Sequence, residues 1–260
     1  MRFKKKRRVG LILMRRIIER VENIVLNSVV KMKRWVTNMK NKYIYGDLYS
    51  TIEDKSKYKK FSTLEECEKW GDYYSDWAKR YKEIMSLFEE IKENHSLGSA
   101  PVECYCGYLY REVNEFLRFG YHSDKKLYDK MADILIMTLC SAPKIKDDIV
   151  VYRVVNDVFI KELIRNNKLP DSIPTQEKGF MSTSLLKDIV NVYSDGGSGL
   201  YLLKIYVPKS TVGIYVNTVT RRDEEEILLA PNNYLRLIEY PYYDESYSIR
   251  IFECQLISFA

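Results

Sequence analysis

The sequence predicts an α+β domain with mostly antiparallel sheets. Three observations predict it. Apolar residues recur at helical spacing in successive stretches up to Ala142-Pro143. Beyond that point short apolar segments follow one another, separated by turn residues such as Asp195-Gly196-Gly197-Ser198-Gly199 and Pro231-Asn232-Asn233. Helices precede strands rather than alternating with them, which argues against βαβ units.

Taken in order, residues 11–40 read as one amphipathic helix. Met14, Ile18, Val21, Val25, Ser28, Met32, Trp35 and Met39 alternate steps of four and three, a seam apolar except at Ser28. Arg15, Arg16, Arg20, Lys31, Lys33, Arg34 and Lys40 occupy the other faces. Such a helix either packs on the body through its seam or lies on an anionic membrane surface. Nucleic acid is not expected, because no base-reading motif accompanies the charge. Residues 46–60 are polar and charged and read as a linker. Ser62 or Thr63 then caps a helix, with Glu65 and Glu66 in its first turn. Trp70, Tyr73, Tyr74, Trp77 and Tyr81 are expected to face the core. Further helices are expected over about 80–94, 105–119 and 125–141, with a break at Ser96–Pro101. Strands are expected at Asp148–Val155, Leu200–Val207, Gly213–Val216, Glu225–Leu229, Tyr234–Tyr240 and Ser248–Ile257, with Gly179–Leu185 strand-like.

Charge is distributed unevenly. Residues 1–42 hold 14 lysines and arginines against Glu19 and Glu22, a net +12 in a chain of net +6, so the remainder carries −6. Five cysteines, of which Cys104 and Cys106 stand too close together for a zinc half-site, and only His95 and His122 give no metal-ligand spacing and no disulfide framework. No run of about 18 apolar residues is present. Leu11–Met14 is cut by Arg15-Arg16 and is too short for the apolar core of a signal peptide.

The chemistry-bearing residues come in order. Arg153 lies in Val151-Tyr152-Arg153, Ser182-Thr183-Ser184 follows, and then Glu224-x-Glu226 ahead of Ile227-Leu228-Leu229. Side chains alternate along a strand, so Glu224 and Glu226 share a face and Glu225 points away. Asp223 and Glu225 form an alternative pair, but the apolar run directly after Glu226 favours Glu224/Glu226. With about 30 and 40 residues between them, these three features resemble the Arg / Ser-Thr-Ser / Glu-x-Glu signature of bacterial toxin-type mono-ADP-ribosyltransferases. Tyr105-x-Gly107-x-x-Tyr110-x-x-Val113-Asn114-x-Phe116-Leu117-Arg118 resembles a helix of the binary-toxin enzymatic components and the Rho-modifying exoenzymes. Glu68-Lys69-Trp70-Gly71 resembles that group's first helix.

The resemblance covers about residues 60–260 and leaves 1–45 outside. It implies an ADP-ribosyltransferase fold over 61–260, with N-terminal helices packed on two mostly antiparallel sheets around a cleft for NAD, the co-substrate. It implies Glu226 as the carboxylate that stabilises an oxocarbenium-like ribose and Ser182 as the residue that holds it. Arg153 would grip the pyrophosphate. Thr183 and Ser184 would brace the strand and the ribose contact. Asn114, Arg118, Tyr105 and Tyr110 would contact NAD from the helical side. Glu224 would orient and deprotonate an arginine acceptor of a protein substrate, with an actin-like protein as one target class. Other acceptors, such as a Rho-type GTPase, mainly NAD hydrolysis, or a non-catalytic docking copy of the fold remain alternatives. Secretion or delivery into a target-cell cytosol is implied. The basic helix lies outside the resemblance; its own charge and seam suit an anionic membrane, a carrier component or the body of the protein itself. Arg221 and Arg222, ahead of the acids, suit an acidic substrate surface or self-modification.

Overall fold

The computed structural model describes residues 26–87, 101–120, 125–193, 199–220 and 224–258. The chain divides into two units, Met1–Gly46 and Asp47–Ala260. In the first, residues 26–45 form a single helix, α1. It stops at Gly46, which adopts φ 84° and donates its N–H to Lys42 O at 2.9 Å. Met14, Ile18, Val21 and Val25, expected in its seam, lie outside the described residues.

In the second unit the helices come first. Thr63 caps α2 (Leu64–Gly71): its hydroxyl accepts the Glu66 N–H at 3.2 Å, while Glu66 Oε2 accepts the Ser62 N–H at 2.8 Å. A one-turn 3-10 segment, Asp72–Tyr74, joins α2 to α3 (Ser75–Leu87). Trp70, Tyr74, Trp77 and Tyr81 are buried as expected, but Tyr73 is 45% exposed. The tighter 3-10 turn rotates Tyr73 off the buried stripe. The helix expected over about 80–94 is, up to Leu87, the continuation of α3; its remainder and the break expected before Pro101 lie outside the described residues. A helix α4 (Pro101–Cys104) runs through a π-turn at Tyr105–Leu109 into α5 (Tyr110–Phe119), which ends on Gly120 at φ 72°. α6 covers Lys125–Ser141 and buries Met131, Leu135 and Leu139.

The strands are β1 (Ile149–Asn156), β2 (Thr175–Glu177), β3 (Met181–Ser184), β4 (Leu200–Val207), β5 (Gly213–Tyr215), β6 (Glu226–Leu229), β7 (Asn233–Leu237), β8 (Tyr242–Asp244) and β9 (Ile249–Ile257). Sequence reading missed β2 and β8, both only three residues long. It also missed α7 (Asp157–Asn167) and the short α8 (Ile189–Val192). The signal for α7 was Asn156, whose side chain caps it by accepting the Phe159 N–H. The ladder order is β2-β7-β9-β4-β1-β3-β6-β5, with β8 on β9. β1 and β3 meet through one register pair, Tyr152↔Ser184. The ladder is therefore two sheets fused at one point, and the cleft opens at that seam. Every pairing among the described strands is antiparallel except β4 with β9.

Residues 47–60, polar enough to suggest a linker, lie along the sheet. Lys59 bridges Ile149, and the Tyr58 ring meets Tyr206 edge-on at 5.2 Å. Lys55 Nζ reaches Glu253 at 2.9 Å and Glu239 at 3.2 Å. Glu253 also receives Lys204 Nζ at 2.7 Å and the Tyr206 hydroxyl at 2.9 Å. Burial raises the Glu253 carboxyl, but the bonds and charges of Lys204 and Lys55 outweigh it and hold it at about 2, from an ordinary 4.5. Glu253 thus stabilises the fold fully above pH 4.5 and loses that contribution as the pH falls to about 2. A shift of this size corresponds to about 3 kcal/mol. Urea titrations of wild type and Glu253→Gln are expected to differ by about that amount at neutral pH and to converge across the acidic window.

Candidate active site

The cleft has a volume of about 240 Å3 and is lined by side chains from the helices and from both sheets. From the helical side come Tyr105, Tyr110 and Asn114; from β1 comes Arg153; from β3 come Ser182, Thr183 and Ser184; Glu224 and Glu226 close the far wall. In a continuous α-helix Tyr105 and Tyr110 would stand about 140° apart. The π-turn between them, with its i→i+5 closure, brings both to the cleft.

Strand alternation correctly separates Glu225 from its neighbours, but the cause is different. β6 begins only at Glu226, and Glu225 has φ 47°, in the left-handed region. Its carboxylate turns inward, where it accepts the Tyr215 hydroxyl and the Asn217 amide, the latter at 3.0 Å. Its carbonyl accepts the Leu185 N–H at 3.0 Å. Tyr215 is itself packed against Gly71, where a Cβ would lie 2.0 Å from the Tyr215 ring. Glu225 is therefore an inward anchor, and Asp223, its partner in the alternative pair, lies outside the described residues. Glu224 and Glu226 project on either side of this anchor into the same cleft.

The Ser-Thr-Ser strand holds the acidic wall. Ser184 pairs with Glu226 across the ladder, and its hydroxyl donates to Glu224 O at 2.7 Å. The Thr183 hydroxyl donates to Ile227 O at 2.9 Å. Ser182 lies two residues along β3, on the same face as Ser184, and is exposed at the cleft.

Asn114 is buried and bridges the two halves. Its Nδ2 donates to the Tyr105 hydroxyl at 2.8 Å, and its Oδ1 accepts the Phe180 N–H at 2.8 Å. A Cβ on Gly179 would come within 2.6 Å of that Oδ1, so the bridge requires glycine there. Tyr105 packs edge-on against Phe180 at 5.3 Å, and burial pushes its hydroxyl pKa up.

Arg118 is not brought to the cleft lining. Its guanidinium forks onto Glu177, Nε to Oε1 at 2.9 Å and Nη2 to Oε2 at 3.1 Å. Arg153 Nη2 shares that carboxylate at 3.5 Å, and Gly179 N–H donates to it at 3.0 Å. Burial would raise the Glu177 carboxyl, but the Arg153 charge and the Arg118 bonds pull it below its ordinary value. It stays ionised at neutral pH and orients both arginines. Sequence reading missed Glu177, since an acid beside Lys178 looks like an ordinary charged turn. Arg153 Nη1 is buried with no hydrogen-bond partner among the described residues. A buried guanidinium N–H left open in a cleft suits an anionic oxygen. This is the observation by which the residues present fit a dinucleotide pyrophosphate. Among the described residues no cluster of His, Cys, Asp or Glu could hold a metal ion.

No curated protein matches the chain by sequence. Several solved structures share its fold. Plx2a, an ADP-ribosyltransferase toxin from Paenibacillus larvae, is 20% identical with a TM-score of 0.55, over 75% of this chain and 96% of that one. The S. aureus C3stau2 structure with NAD is 18% identical with a TM-score of 0.56, over 78% and 100%. The Vis ADP-ribosyltransferase of Vibrio splendidus, in complex with agmatine, is 19% identical with a TM-score of 0.50, over 77% and 88%. Residues 68–238 match the ADP-ribosyltransferase exoenzyme family, well over half of the 260-residue chain. That span carries the Arg153, Ser182–Ser184 and Glu224/Glu226 walls of one cleft, and the chain belongs to the ADP-ribosyltransferase exoenzyme family.

Proposed function

We propose that this protein transfers ADP-ribose from NAD to an arginine side chain of a protein substrate. The observation that carries the reading is the pair Glu224 and Glu226, set on either side of an inward Glu225 and facing Arg153 across one cleft. Arg153 binds the pyrophosphate through its open N–H. Glu226 accepts a hydrogen bond from the ribose and stabilises the positive charge that builds as the nicotinamide–ribose bond breaks. That bond's electron pair leaves with nicotinamide. Ser182 holds the Glu226 carboxylate, and Asn114, Tyr105 and Tyr110 shape the helical wall. Arg118 acts through Glu177, by orienting Arg153, rather than by touching the dinucleotide.

An arginine guanidinium is protonated near neutral pH and is a poor nucleophile. Glu224 orients it and takes its proton as the nitrogen bonds to the ribose C1′. The Vis complex with agmatine, a small guanidine, supports a guanidine-sized acceptor site in this fold. Delivery to a target-cell cytosol, where NAD and protein acceptors coexist, completes the reading.

The test is NAD consumption and agmatine modification by wild type and Glu224→Gln. Loss of transfer with retained NAD hydrolysis in the variant supports an arginine acceptor. Transfer that survives in Glu224→Gln, or a wild type that modifies only asparagine or glutamine residues of offered proteins, overturns it. A wild type that neither binds nor cleaves NAD identifies a docking copy of the fold.

A further inference from the structure

We propose that α1 is an interfacial helix that lies flat on an anionic lipid bilayer, independently of the chemistry in the cleft. The helix is continuous over residues 26–45. At 100° per residue, Val29, Met32, Trp35, Val36, Met39 and Tyr43 fall within an arc of about 120°. Ser28 lies inside that arc and Val30 on the opposite face. Lys31 and Lys42 border one edge of the arc; Lys33 and Lys40 border the other. Arg34, Thr37, Asn38 and Asn41 occupy the back. From Asn23 to Gly46 the chain has no Asp or Glu.

Met32 is 61% exposed, Trp35 63% and Tyr43 81%. A contiguous apolar stripe of this kind marks an interaction surface. The arrangement of charge selects its occupant. Lysines on both edges of the stripe match a planar phase that is apolar inside and anionic along its surface. Their long stems let the ammonium groups reach the headgroup level while the stripe sinks below it. Trp35 and Tyr43 are the residue types that favour this boundary. No helix among the described residues is long and apolar enough to cross a membrane. Lys31, Lys33, Arg34, Lys40 and Lys42, spread over the middle and the end of α1, favour lying on the surface rather than spanning it.

The experiment uses the full chain and sedimentation with two vesicle types, pure phosphatidylcholine and the same lipid with about a third phosphatidylserine. Wild type is expected to sediment with the anionic vesicles only, with a blue shift of tryptophan fluorescence. The quadruple variant Lys31→Gln, Lys33→Gln, Lys40→Gln, Lys42→Gln is expected to lose about 10^3-fold in partitioning. The double variant Met32→Ser, Trp35→Ser is expected to lose binding as well, with the charge of the helix unchanged. Melting of the second unit, which excludes α1, controls for folding in both. Absence of wild-type binding overturns the proposal. So does binding that survives Met32→Ser, Trp35→Ser, since adsorption would then need charge alone. Duplex DNA binding without vesicle binding assigns the surface to nucleic acid and overturns it equally. None of these readouts involves NAD, so they stand or fall separately from the enzymatic reading.

Discussion

Glu226→Gln is expected to lower NAD cleavage by at least about 10^3-fold in kcat, the scale for removing a group that stabilises developing transition-state charge. Glutamine has the same shape, so the β3–β6 register at Ser184↔Glu226 and the melting temperature should survive. On the proposed mechanism, what is lost is the negative charge opposite a ribose that turns positive only as the glycosidic bond breaks. Ground-state binding gains little from that charge, so NAD affinity by calorimetry should change little while nicotinamide release collapses. Activity retained within about tenfold would exclude the role given to Glu226 and shift attention to Glu224. An equal fall in NAD affinity and kcat would mean that Glu226 shapes the cleft rather than the transition state.

Arg153→Lys is expected to raise KM for NAD by about 10- to 100-fold, with a smaller effect on kcat. The substitution keeps the charge and removes the planar fork. A hydrogen bond to a charged group contributes about 1.5–3 kcal/mol, which corresponds to that range. The structural reason is specific: Arg153 spends Nη2 on Glu177 and keeps Nη1 buried and open. Lysine offers one nitrogen and cannot serve both. The alternative is that Arg153 only neutralises Glu177. A lowered melting temperature with unchanged NAD affinity would establish that alternative. Glu177 stays ionised at neutral pH because the arginines hold its carboxyl below the ordinary value. The expected KM effect is therefore the same at pH 6 and pH 8, a check that a titrating pair would fail.

Parts of this molecule are written in short stretches of sequence. Thr63 with Glu66 announces a helix start, because the hydroxyl and carboxylate satisfy backbone N–H groups only a turn away. β4 occupies Leu200–Val207, the span its apolar run indicates. Arg153, Ser182-Thr183-Ser184 and Glu224-x-Glu226 are likewise visible as a spaced pattern, because each segment is local and its residue types are unusual together. The π-turn at Tyr105–Leu109 was not visible, since an apolar helical run carries no mark of one extra residue per turn. Nor was the strap at 47–60, whose lysines look solvated until Glu253 and Glu239 arrive from β9 and the turn after β7.

The sequence by itself determined the α+β class, most strand positions, the cap of α2 and the order of the cleft residues. These follow from periodicity and from contacts within a few residues. Only the tertiary structure decided what those residues do to one another. Arg118 meets Glu177 across 59 residues, and Asn114 meets Phe180 across 66. Nothing in either neighbourhood names its partner, because such pairs are selected by packing and by the cost of leaving a buried charge or N–H unmet. Glu225 shows the same division. Alternation anticipates that it turns away from its neighbours, but the left-handed backbone of Glu225, just ahead of β6, is what turns it. The Tyr215 hydroxyl and the Asn217 amide, delivered by β5 and the turn after it, make that inward position an anchor.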